Sequence, residues 1–443
     1  MNVNFAERAH NHNWKLDPIV RSLLDTDFYK LLMLQFIWKN FPQVQVTSEV
    51  VNRTVRVHLA ERVGMAALRE QMEHVRGLRF RRSELVWLAG NTFYGVRFIF
   101  EPAFLEWLEK DFALSDYEIA EQESDDPAHA GQLTLRFSGL WTAVTMWEVY
   151  ALAIVSELKT RAALAELSEL ELDVLYARAK TRLWDKIEKL RDVEGLQLSD
   201  FGTRRRHSFL WQEYAVQALR ASLGKRFGGT SNTALAYKHD LEAIGTNAHE
   251  LPMAMAALAS VGSDDELRAS QYRVLELWQR SYGGSLLIML PDTFGTTQFL
   301  EHAPEFAADW TGQRVDSKDP YVAGDEYVAW LESRGRDPRQ KRLIASDGLD
   351  VDDIVKLHEY FSGRIRFSAG WGTLLTNDFR GCHPRGEDTL EPLSLVCKLT
   401  SANGIPTVKL SDNARKTAGP VELVARYRRV FGSEAETGAA VIV

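Results

Sequence analysis

The sequence reads FGTRRRHSF at residues 201–209 and FGGTSNTALAYKHDLEAIGTNAHE at residues 227–250. In each stretch a short β-leaning run ends in a polar, glycine-rich turn and is followed by helical sequence, the pattern of a βα unit. Arg204, Arg205 and Arg206 place three guanidinium groups at one such turn. Arginine forks match phosphate and carboxylate geometry, and Gly-Thr/Ser turns that open a helix offer backbone N–H groups to the same ligands. The region therefore predicts an anion site, with a solvated basic turn as the alternative.

Similar units recur along the chain after residue 171. Short apolar runs end in polar turns in LQLSDFGTRR, GGTSNT, EAIGTNAHE, SLLIMLPDTFG, TGQRVDSKDP, KRLIASDGLD and RIRFSAGWG. About seven such units, over a span near the ~250 residues of a (β/α) barrel, predict an irregular α/β barrel domain at residues 171–389. The polar residues fall at the carboxyl ends of the predicted strands, which form the functional face of that fold.

The two ends of the chain predict a second domain. Residues 1–170 mix helical and strand patterns without a repeat. Near the other end, PLSLVCKLTSANGIPTVKLSD at residues 392–412 is typical of a hairpin that turns at Asn403-Gly404. We expect residues 390–443 to return to the first domain. The predicted fold is thus α/β, with a mixed α+β N-terminal domain that C-terminal strands complete.

Composition limits the classes of partner. The formal net charge of the 443-residue chain is -8, which argues against a general nucleic-acid or acidic-membrane binder. The longest apolar run, residues 140–156, is interrupted by Glu148 and predicts a buried segment rather than a membrane span. Cys382 and Cys397 lack metal-type spacing, and the first residues lack a charged-then-apolar leader. We therefore expect a protein of a reducing compartment, the cytoplasm.

A second phosphate signal lies late in the barrel segment, in SAGWGT at residues 368–373. It follows an alternating strand pattern, and Gly370 and Gly372 carry no Cβ, so their backbone N–H groups can approach a phosphate. The late strands of such barrels commonly bind phosphate. A glycine turn without a ligand is the alternative.

Three strand ends carry groups suited to catalysis or metal binding. His249 follows a Gly-Thr strand end, where Glu250 or a backbone carbonyl could orient one ring nitrogen and leave the other as a nucleophile. A packed histidine is the commoner alternative. Arg314 and Asp316 share one strand end and could equally form a structural ion pair. Asp292 could help to hold magnesium or could be structural.

Several motifs occur together and in order: LLDTDFYK from residue 23, FGTRRR, GTSN, GTNAHE, VDSKDP from residue 315, SDGLD from residue 346 and SAGWGTLLTND from residue 368. This set resembles the signature of the nicotinate phosphoribosyltransferase family and spans about residues 20–415. The family joins nicotinate to phosphoribosyl pyrophosphate (PRPP) in the Preiss-Handler pathway of NAD salvage. The chain departs from the family pattern at Lys318, where a glycine is commoner, and in HELPM, where several members have His-Glu-Trp.

The resemblance implies roles for individual residues. The implied catalytic residues are His249, as a phosphohistidine, with Glu250 and Asp316. The implied nicotinate ligands are Tyr29, Phe201, Arg204, Ser231, Thr246 and Arg314, the two aromatic rings forming a sandwich around the base. The implied PRPP and phosphate ligands are Arg205, Arg206, Ser346, Asp347, Gly370, Gly372 and Thr373. The implied metal ligands are Asp316 and Asp292. Ser231 favours the acid over the amide, because related nicotinamide enzymes have an aspartate there.

The resemblance further implies an ATP-coupled reaction, classed as a ligase, with Mg2+ as cofactor. Nicotinate, PRPP, ATP and water would give nicotinate mononucleotide, diphosphate, ADP and phosphate. No G-x-x-x-x-G-K-[ST] loop occurs in the chain, so ATP enters through the resemblance alone. The alternatives are a nicotinamide or quinolinate phosphoribosyltransferase and a catalytically silent PRPP-binding homologue. The family's homodimers share active sites, which implies that Tyr29 enters the partner's pocket.

Overall fold

The computed structural model describes residues 15–122 and 131–432. The expected absence of a secretory leader concerns residues 1–14 and lies outside the described residues. The strands are β1 Gln45–Asn52, β2 Thr92–Phe93, β3 Val96–Arg97, β4 Tyr117–Gln122, β5 Gln132–Leu140, β6 Leu198–Asp200, β7 Phe227–Thr230, β8 Ile288–Met289, β9 Gly312–Val315, β10 Arg342–Ala345, β11 Arg366–Trp371, β12 Leu395–Ala402 and β13 Ile405–Pro406. The α-helices are α1 Phe28–Asn40, α2 Leu59–Val63, α3 Met65–Gly77, α4 Arg82–Gly90, α5 Pro102–Lys110, α6 Trp141–Val144, α7 Trp147–Leu164, α8 Glu169–Arg191, α9 Phe209–Leu223, α10 Thr233–His239, α11 Glu250–Ala259, α12 Asp264–Ser281, α13 Thr296–His302, α14 Pro320–Ser333, α15 Val351–Phe361, α16 Thr373–Thr376 and α17 Val421–Phe431.

Six strands form a parallel sheet in the order β7-β6-β11-β10-β9-β8. β6 and β11 are the first and last strands of the barrel segment, and they lie side by side. Such pairing of first and last strands is what closes a barrel. Within the described residues, the third predicted unit contributes only one parallel bridge, between Ala243 and Thr230. The predicted α/β class is confirmed, and this unit is where the sheet is irregular.

The parallel strands alternate between a helix-covered face and an inner face. In β10, Leu343 is buried beside Gly324 and Phe361 of the surrounding helices, whereas Arg342 and Ile344 line a cavity inside the sheet. Gly324 has no room for a side chain, since a Cβ there would lie 2.2 Å from the Phe361 ring. The hydrophobic core of this sheet therefore lies on its outer side, and a ligand can enter its inner side.

Five strands form an antiparallel sheet in the order β13-β12-β1-β5-β4. Residues 395–402 of β12 pair with residues 46–52 of β1, which binds the C-terminal hairpin into the N-terminal sheet. Asn403 and Gly404 turn the hairpin with φ angles of 47° and 76°, the left-handed conformation that a two-residue turn requires. The predicted return of C-terminal strands to the first domain is confirmed, while the limits of the two domains stay a prediction.

Helix α1 joins the N-terminal part to the barrel. Its first ten residues are all buried. Residues 26–28 pair with residues 231–233 through two backbone hydrogen bonds of 2.8 Å and an antiparallel bridge between Asp27 and Asn232. These contacts hold the start of α1, and with it Tyr29, against the carboxyl ends of the parallel strands.

Helix α7 contains most of the apolar run that was predicted to be buried. Most of its residues are indeed buried inside the protein. Within the two described ranges, every helix is too short or too polar to cross a bilayer.

Candidate active site

Two connected cavities lie where the carboxyl ends of the parallel strands meet the antiparallel sheet. The first, here called the basic cavity, is lined by Arg53, Arg204, Arg205, Arg314, Lys398, Lys409 and Lys416. The second, here called the barrel cavity, has a volume of about 400 Å³ and is lined by inner-face residues of the parallel sheet. The two cavities share the lining residues Tyr29, Phe201, Arg204 and Arg314, which therefore mark their junction.

Tyr29 and Phe201 reach this junction because two glycines allow close packing behind them. A Cβ at Gly245 would lie 2.9 Å from the backbone N of Tyr29, and a Cβ at Gly370 would lie 2.4 Å from the Phe201 ring. Phe201 directly follows β6, and its backbone N donates to Trp371 O at 2.8 Å. Both aromatic residues therefore line one pocket, and the sandwich around a base stays a prediction.

The assignment of Tyr29 to a partner's pocket is wrong for this chain. Tyr29 and Phe201 of the same chain line both cavities. The physical reason is the backbone pairing of residues 26–28 with residues 231–233, which brings the start of α1 to its own barrel. One chain thus supplies both aromatic residues of the junction, and the homodimer stays a prediction that rests on the resemblance.

The two arginines of the junction supply positive charge to it. Arg204 Nη1 donates to Glu148 Oε1 at 3.1 Å, and Arg204 Nε lies 3.5 Å from Asp27 Oδ2. Arg314 Nη1 donates to the Asn247 carbonyl at 3.3 Å, while its buried Nε has no hydrogen-bond partner within the described part of the chain. A buried cationic donor without a partner is costly until a ligand satisfies it. Arg314 is thus prepared to bind an anion.

Ser231 and Thr246 line the barrel cavity, close to where the base is expected. Ser231 Oγ lies 2.6 Å from Asp27 Oδ1, and Thr203 Oγ1 lies 3.4 Å from the same hydroxyl. Asp27 also lines this cavity and is only 2% exposed. Burial raises the pKa of Asp27, against the opposing charge of Arg204. The pocket therefore holds a carboxyl group that sequence reasoning missed; its only signal was the position of Asp27 two residues before Tyr29 in LLDTDFYK.

His249 lies in the basic cavity with a partner at each ring nitrogen. Nδ1 is 2.9 Å from Thr293 Oγ1, and Nε2 is 2.9 Å from Asp316 Oδ2. Burial, reinforced by Lys409, lowers the pKa of His249, so the neutral ring that a nucleophile requires predominates at neutral pH. Burial opposes ionisation of Asp316, but Arg314 and His249 outweigh it and hold the pKa of Asp316 well below its usual range. The ionised Asp316 favours a proton on Nε2 in the resting site.

The expectation that Glu250 orients His249 is wrong. Glu250 begins α11, and its Oε2 accepts from Lys30 Nζ at 2.6 Å while its Oε1 accepts from Trp141 Nε1 at 2.6 Å. Lys30 is fully buried and also pairs with Glu148 at 2.7 Å. Glu250 therefore anchors the start of α11 to α1 and α6. The partners that orient the His249 ring come from two other strand ends.

His249, Asp292 and Asp316 bring one possible ligand atom each within 4.8 Å of one another. His249 Nε2 lies 3.7 Å from Asp292 Oδ2, to which Ser317 Oγ donates at 2.6 Å. The other Asp292 oxygen is buried without a hydrogen-bond partner among the described residues. Mg2+ prefers carboxylate oxygens and usually keeps waters and substrate phosphates as further ligands. The two aspartates thus have the chemistry that a Mg2+ site needs, and the ion stays a prediction.

Several of the expected phosphate ligands line the basic cavity: Arg205, Ser346, Asp347, Gly372 and Thr373. Ser346 Oγ donates to Asp316 Oδ1 at 3.1 Å, and Asp347 Oδ2 accepts from Lys416 Nζ at 2.6 Å. Arg205 Nε donates to the Leu395 carbonyl at 2.9 Å, which holds the guanidinium beside β12. The structure therefore brings these residues to the same cavity.

Two other expected phosphate ligands lie elsewhere. Arg206 is fully buried, with Nη1 and Nη2 donating to the two oxygens of Asp25 at 2.6 and 2.8 Å and Nε donating to Glu157 at 2.8 Å. The assignment of Arg206 to a phosphate is wrong, because each of its guanidinium nitrogens has a partner in the core. Gly370 lies inside β11 beneath the Phe201 ring, so close packing explains this glycine without a phosphate.

The basic cavity has more cations than carboxyl groups to pair with them. Its seven lysine and arginine residues face four carboxyl groups: Glu148, Glu250, Asp316 and Asp347. Burial, reinforced by neighbouring cations, lowers the pKa of Lys398 to about 8 and that of Arg205 to about 10. A cation whose charge is disfavoured by its surroundings is stabilised when an anion enters. The cavity is therefore built to bind a polyanion.

Four of these cations were missed in the sequence: Arg53, Lys398, Lys409 and Lys416. They belong to the segment after β1 and to the C-terminal hairpin region, outside the barrel units. The predicted return of the hairpin was a signal that its residues would approach the barrel. The face that would meet the cavity depended on the register between β12 and β1, which the sequence does not reveal.

The lysine in the usual glycine position is accommodated without strain. Lys318 does not have a left-handed backbone conformation. Its Nζ donates to Glu326 at 2.9 Å and to Thr297 at 3.0 Å. The departure from the family pattern therefore leaves Asp316 free to face the cavity.

Comparisons with known proteins extend over both sheets and the cavities between them. A model of the nicotinate phosphoribosyltransferase (NAPRTase) family matches residues 196–435, and a model of the NAPRTase N-terminal domain matches residues 24–156. The solved structure of a nicotinate phosphoribosyltransferase from Vibrio cholerae is 32% identical, with a TM-score of 0.83, and the match covers 95% of this chain and 96% of that chain. A nicotinate phosphoribosyltransferase from Porphyromonas gingivalis is 28% identical, with a TM-score of 0.80 and coverage of 94% and 100%.

Proposed function

Because the chain belongs to the nicotinate phosphoribosyltransferase family, we propose that it joins nicotinate to PRPP in an ATP-coupled step of NAD salvage. The observation that carries the proposal is the junction of the two cavities, where Arg204 and Arg314 stand with Tyr29 and Phe201. A flat anionic ring such as nicotinate is bound best by aromatic faces combined with guanidinium groups.

Nicotinate binds at this junction between Tyr29 and Phe201. Its carboxylate points to Arg314 and to the Thr246 hydroxyl on the barrel side, because the polar residues suited to it lie there. Its ring nitrogen then faces the basic cavity, where PRPP binds. This orientation places the nucleophilic nitrogen next to carbon 1 of the ribose.

PRPP occupies the basic cavity. The loop around Gly372 and Thr373 holds the 5-phosphate, Asp316 holds the ribose hydroxyls, and the lysines of the C-terminal segment face the diphosphate. Mg2+, when held by Asp292 and Asp316, would neutralise charge on the diphosphate. The bond between carbon 1 and the diphosphate oxygen breaks as the bond to the nicotinate nitrogen forms. The protein supplies position and charge stabilisation for the oxocarbenium-like transition state.

His249 is the acceptor of the phosphoryl group from ATP. Its Nε2 faces Asp316 at the cavity, whereas Nδ1 faces the buried Thr293. In the reacting tautomer Nδ1–H donates to Thr293 Oγ1, and the Nε2 lone pair attacks the γ-phosphorus of ATP. The bond between that phosphorus and the oxygen that leaves with ADP breaks as the new bond forms. Water later removes the phosphoryl group as phosphate, so one ATP is hydrolysed for each nicotinate mononucleotide formed.

An assay with nicotinate, nicotinamide and quinolinate, each with PRPP and with or without ATP, tests the proposal. Nicotinate should be the base consumed, and ATP should raise the yield of mononucleotide. Arg314→Gln should raise the Michaelis constant for nicotinate, whereas Arg334→Gln, at the surface end of α14, should not. Preferred turnover of nicotinamide or quinolinate would replace the proposal by a neighbouring transferase. PRPP binding without turnover of any base would indicate a catalytically silent homologue.

A further inference from the structure

Asp27 places a carboxyl group in the part of the pocket where the substrate carboxylate is expected. It lines the barrel cavity with Arg204, Ser231 and Arg314. Although Asp27 immediately precedes α1, its side chain makes no capping hydrogen bond to the helix. Its two oxygens instead lie 2.6 Å from Ser231 Oγ and 3.5 Å from Arg204 Nε. Because helix capping does not explain this buried carboxyl group, its role lies in the pocket.

The proton of the Ser231 hydroxyl decides which ligand the pocket accepts. When Asp27 is ionised, its oxygens only accept hydrogen bonds, so Ser231 donates its single proton to Asp27. Ser231 then offers only lone pairs to the cavity, and the charge of Asp27 adds to the repulsion of a carboxylate. When Asp27 is protonated, it donates to Ser231 Oγ, and Ser231 can donate its own proton to a substrate carboxylate.

The cations that share the junction with Asp27 already have other carboxylate partners. Arg204 pairs with Glu148, and the charge of Arg314 acts on Asp316. An ionised Asp27 therefore adds a further negative charge close to where the substrate carboxylate is expected, and protonation of Asp27 removes it.

We infer that Asp27 takes up one proton when nicotinate binds, and that the neutral carboxyl group lets Ser231 donate to the substrate carboxylate. The inference rests on the proposed function, since it names the residue that fits the pocket to the acid rather than to the uncharged amide. The proton comes from solvent and returns to it when the mononucleotide leaves, so the overall reaction is unchanged.

Burial favours this neutral form, because it raises the pKa of Asp27. Four charged or titratable groups interact with Asp27 directly: Arg204 and Asp200 near β6, Glu148 on α7 and Tyr29 on α1. Glu242, Arg314 and Arg342 line the same cavity. Asp200 is a competitor for the proton, since burial raises its pKa to about 6. The Thr230 hydroxyl donates to Asp200 at 2.7 Å and the Gly202 N–H at 2.8 Å, and both bonds favour its ionised form.

Calorimetric titration of the full-length protein with nicotinate tests the inference. Titrations at one pH in buffers of different ionisation enthalpy count the protons taken up per ligand. At alkaline pH the wild type should take up about one proton, and its dissociation constant should rise about tenfold per pH unit. Asp27→Asn should take up no proton and bind nicotinate with little pH dependence, because its amide can donate to Ser231 as the neutral carboxyl group does.

Glu242→Gln is the matched control. Glu242 lines the same cavity, and burial raises its pKa, but its carboxylate accepts from the Tyr94 backbone N at 2.7 Å. This substitution should leave the proton count of nicotinate binding unchanged. A loss of uptake in Glu242→Gln would assign the proton to Glu242 and overturn the inference.

Other outcomes also decide the matter. Proton uptake that persists in Asp27→Asn would place the proton on another group such as Asp200 and contradict the inference. Wild-type binding of nicotinate without proton uptake from about pH 6 to about pH 9 would also contradict it. If Asp27→Asn does not fold, the wild-type Michaelis constant for nicotinate, measured without ATP at saturating PRPP, should still rise with pH at constant kcat. A flat profile contradicts the inference. Failure to form nicotinate mononucleotide at all would instead contradict the proposed function.

Discussion

Gly370→Ala distinguishes packing from phosphate binding in the SAGWGT loop. The added methyl group would lie 2.4 Å from the Phe201 ring, whereas carbon atoms in contact need about 3.5 Å, so the ring must move by about 1 Å. The backbone resists this movement, because Gly370 is paired with Ser199 in the sheet and Phe201 N is bonded to Trp371 O. The ring itself must therefore turn, and the open side is the base pocket.

The magnitude follows from the cost of overpacking a filled site, about 1–3 kcal/mol. If the whole cost appears as weaker binding of the base, the Michaelis constant for nicotinate rises about 5- to 150-fold. Initial rates measured with nicotinate and PRPP varied independently give the two constants separately. The constant for PRPP should change much less, since Gly370 does not line the basic cavity.

Gly372→Ala is the control within the same loop. A Cβ there would lie 3.6 Å from the Phe201 carbonyl, an ordinary contact, so the added methyl group meets no clash of the kind that Gly370→Ala produces. Because Gly372 lines the basic cavity, any effect should fall on PRPP. In the Phe201→Leu background Gly370→Ala should cost little, since the clashing ring is gone. A raised constant for PRPP with an unchanged one for nicotinate in Gly370→Ala would refute the packing explanation.

Three further experiments test the rest of the site. His249→Asn should abolish ATP hydrolysis and ATP stimulation but leave a weak ATP-independent transferase, because the phosphoryl group is not needed to position the substrates; retained coupling would exclude a phosphohistidine at this residue. Tyr29→Ala and Asp316→Ala should each be nearly inactive and should stay inactive when co-expressed, because both residues line the cavity of one chain. Recovery of about a quarter of wild-type activity would instead restore the shared-site dimer. Ser231→Asp should raise the Michaelis constant for nicotinate about 5- to 150-fold, the equivalent of about 1–3 kcal/mol, because a second carboxyl group would lie beside Asp27; an unchanged constant would place Ser231 outside the base site.

The parts of the fold that were predicted correctly depend on local patterns. The parallel strands are short apolar runs that end at glycine-rich turns, and the C-terminal hairpin turns at an Asn-Gly pair with the expected left-handed angles. Carboxyl ends of parallel strands meet at one edge of a sheet, so His249, Asp292 and Asp316 could be expected to lie near one another. Their separation within 4.8 Å agrees with that expectation.

The three consecutive arginines show why neighbouring side chains could not be assigned together. They lie in and just after the short 3-10 turn Thr203–Arg205, in which successive residues point about 120° apart. Arg204 therefore faces the junction, Arg205 lies beside β12 and Arg206 enters the core. The partners of Arg206 come from distant parts of the chain, so no local pattern could reveal that its guanidinium is already paired. The same holds for Glu250, whose partner Lys30 lies on α1.

Residues 25–30 contact the barrel core, the proposed base pocket and the helix that follows His249, each through a separate interaction. Asp25 binds Arg206 in the core, and Asp27 lies beside Ser231. Lys30 binds Glu250 and so holds the start of α11, directly after His249. Loss of one partner from a buried ion pair costs about 3–5 kcal/mol, so the pairs of Asp25 with Arg206 and of Lys30 with Glu250 strongly restrict where the segment can lie. A shift of the segment that repositioned the base would also disturb the anchor of the histidine loop. The base-pocket residues and the loop of His249 are therefore both held by contacts to this one segment of the chain.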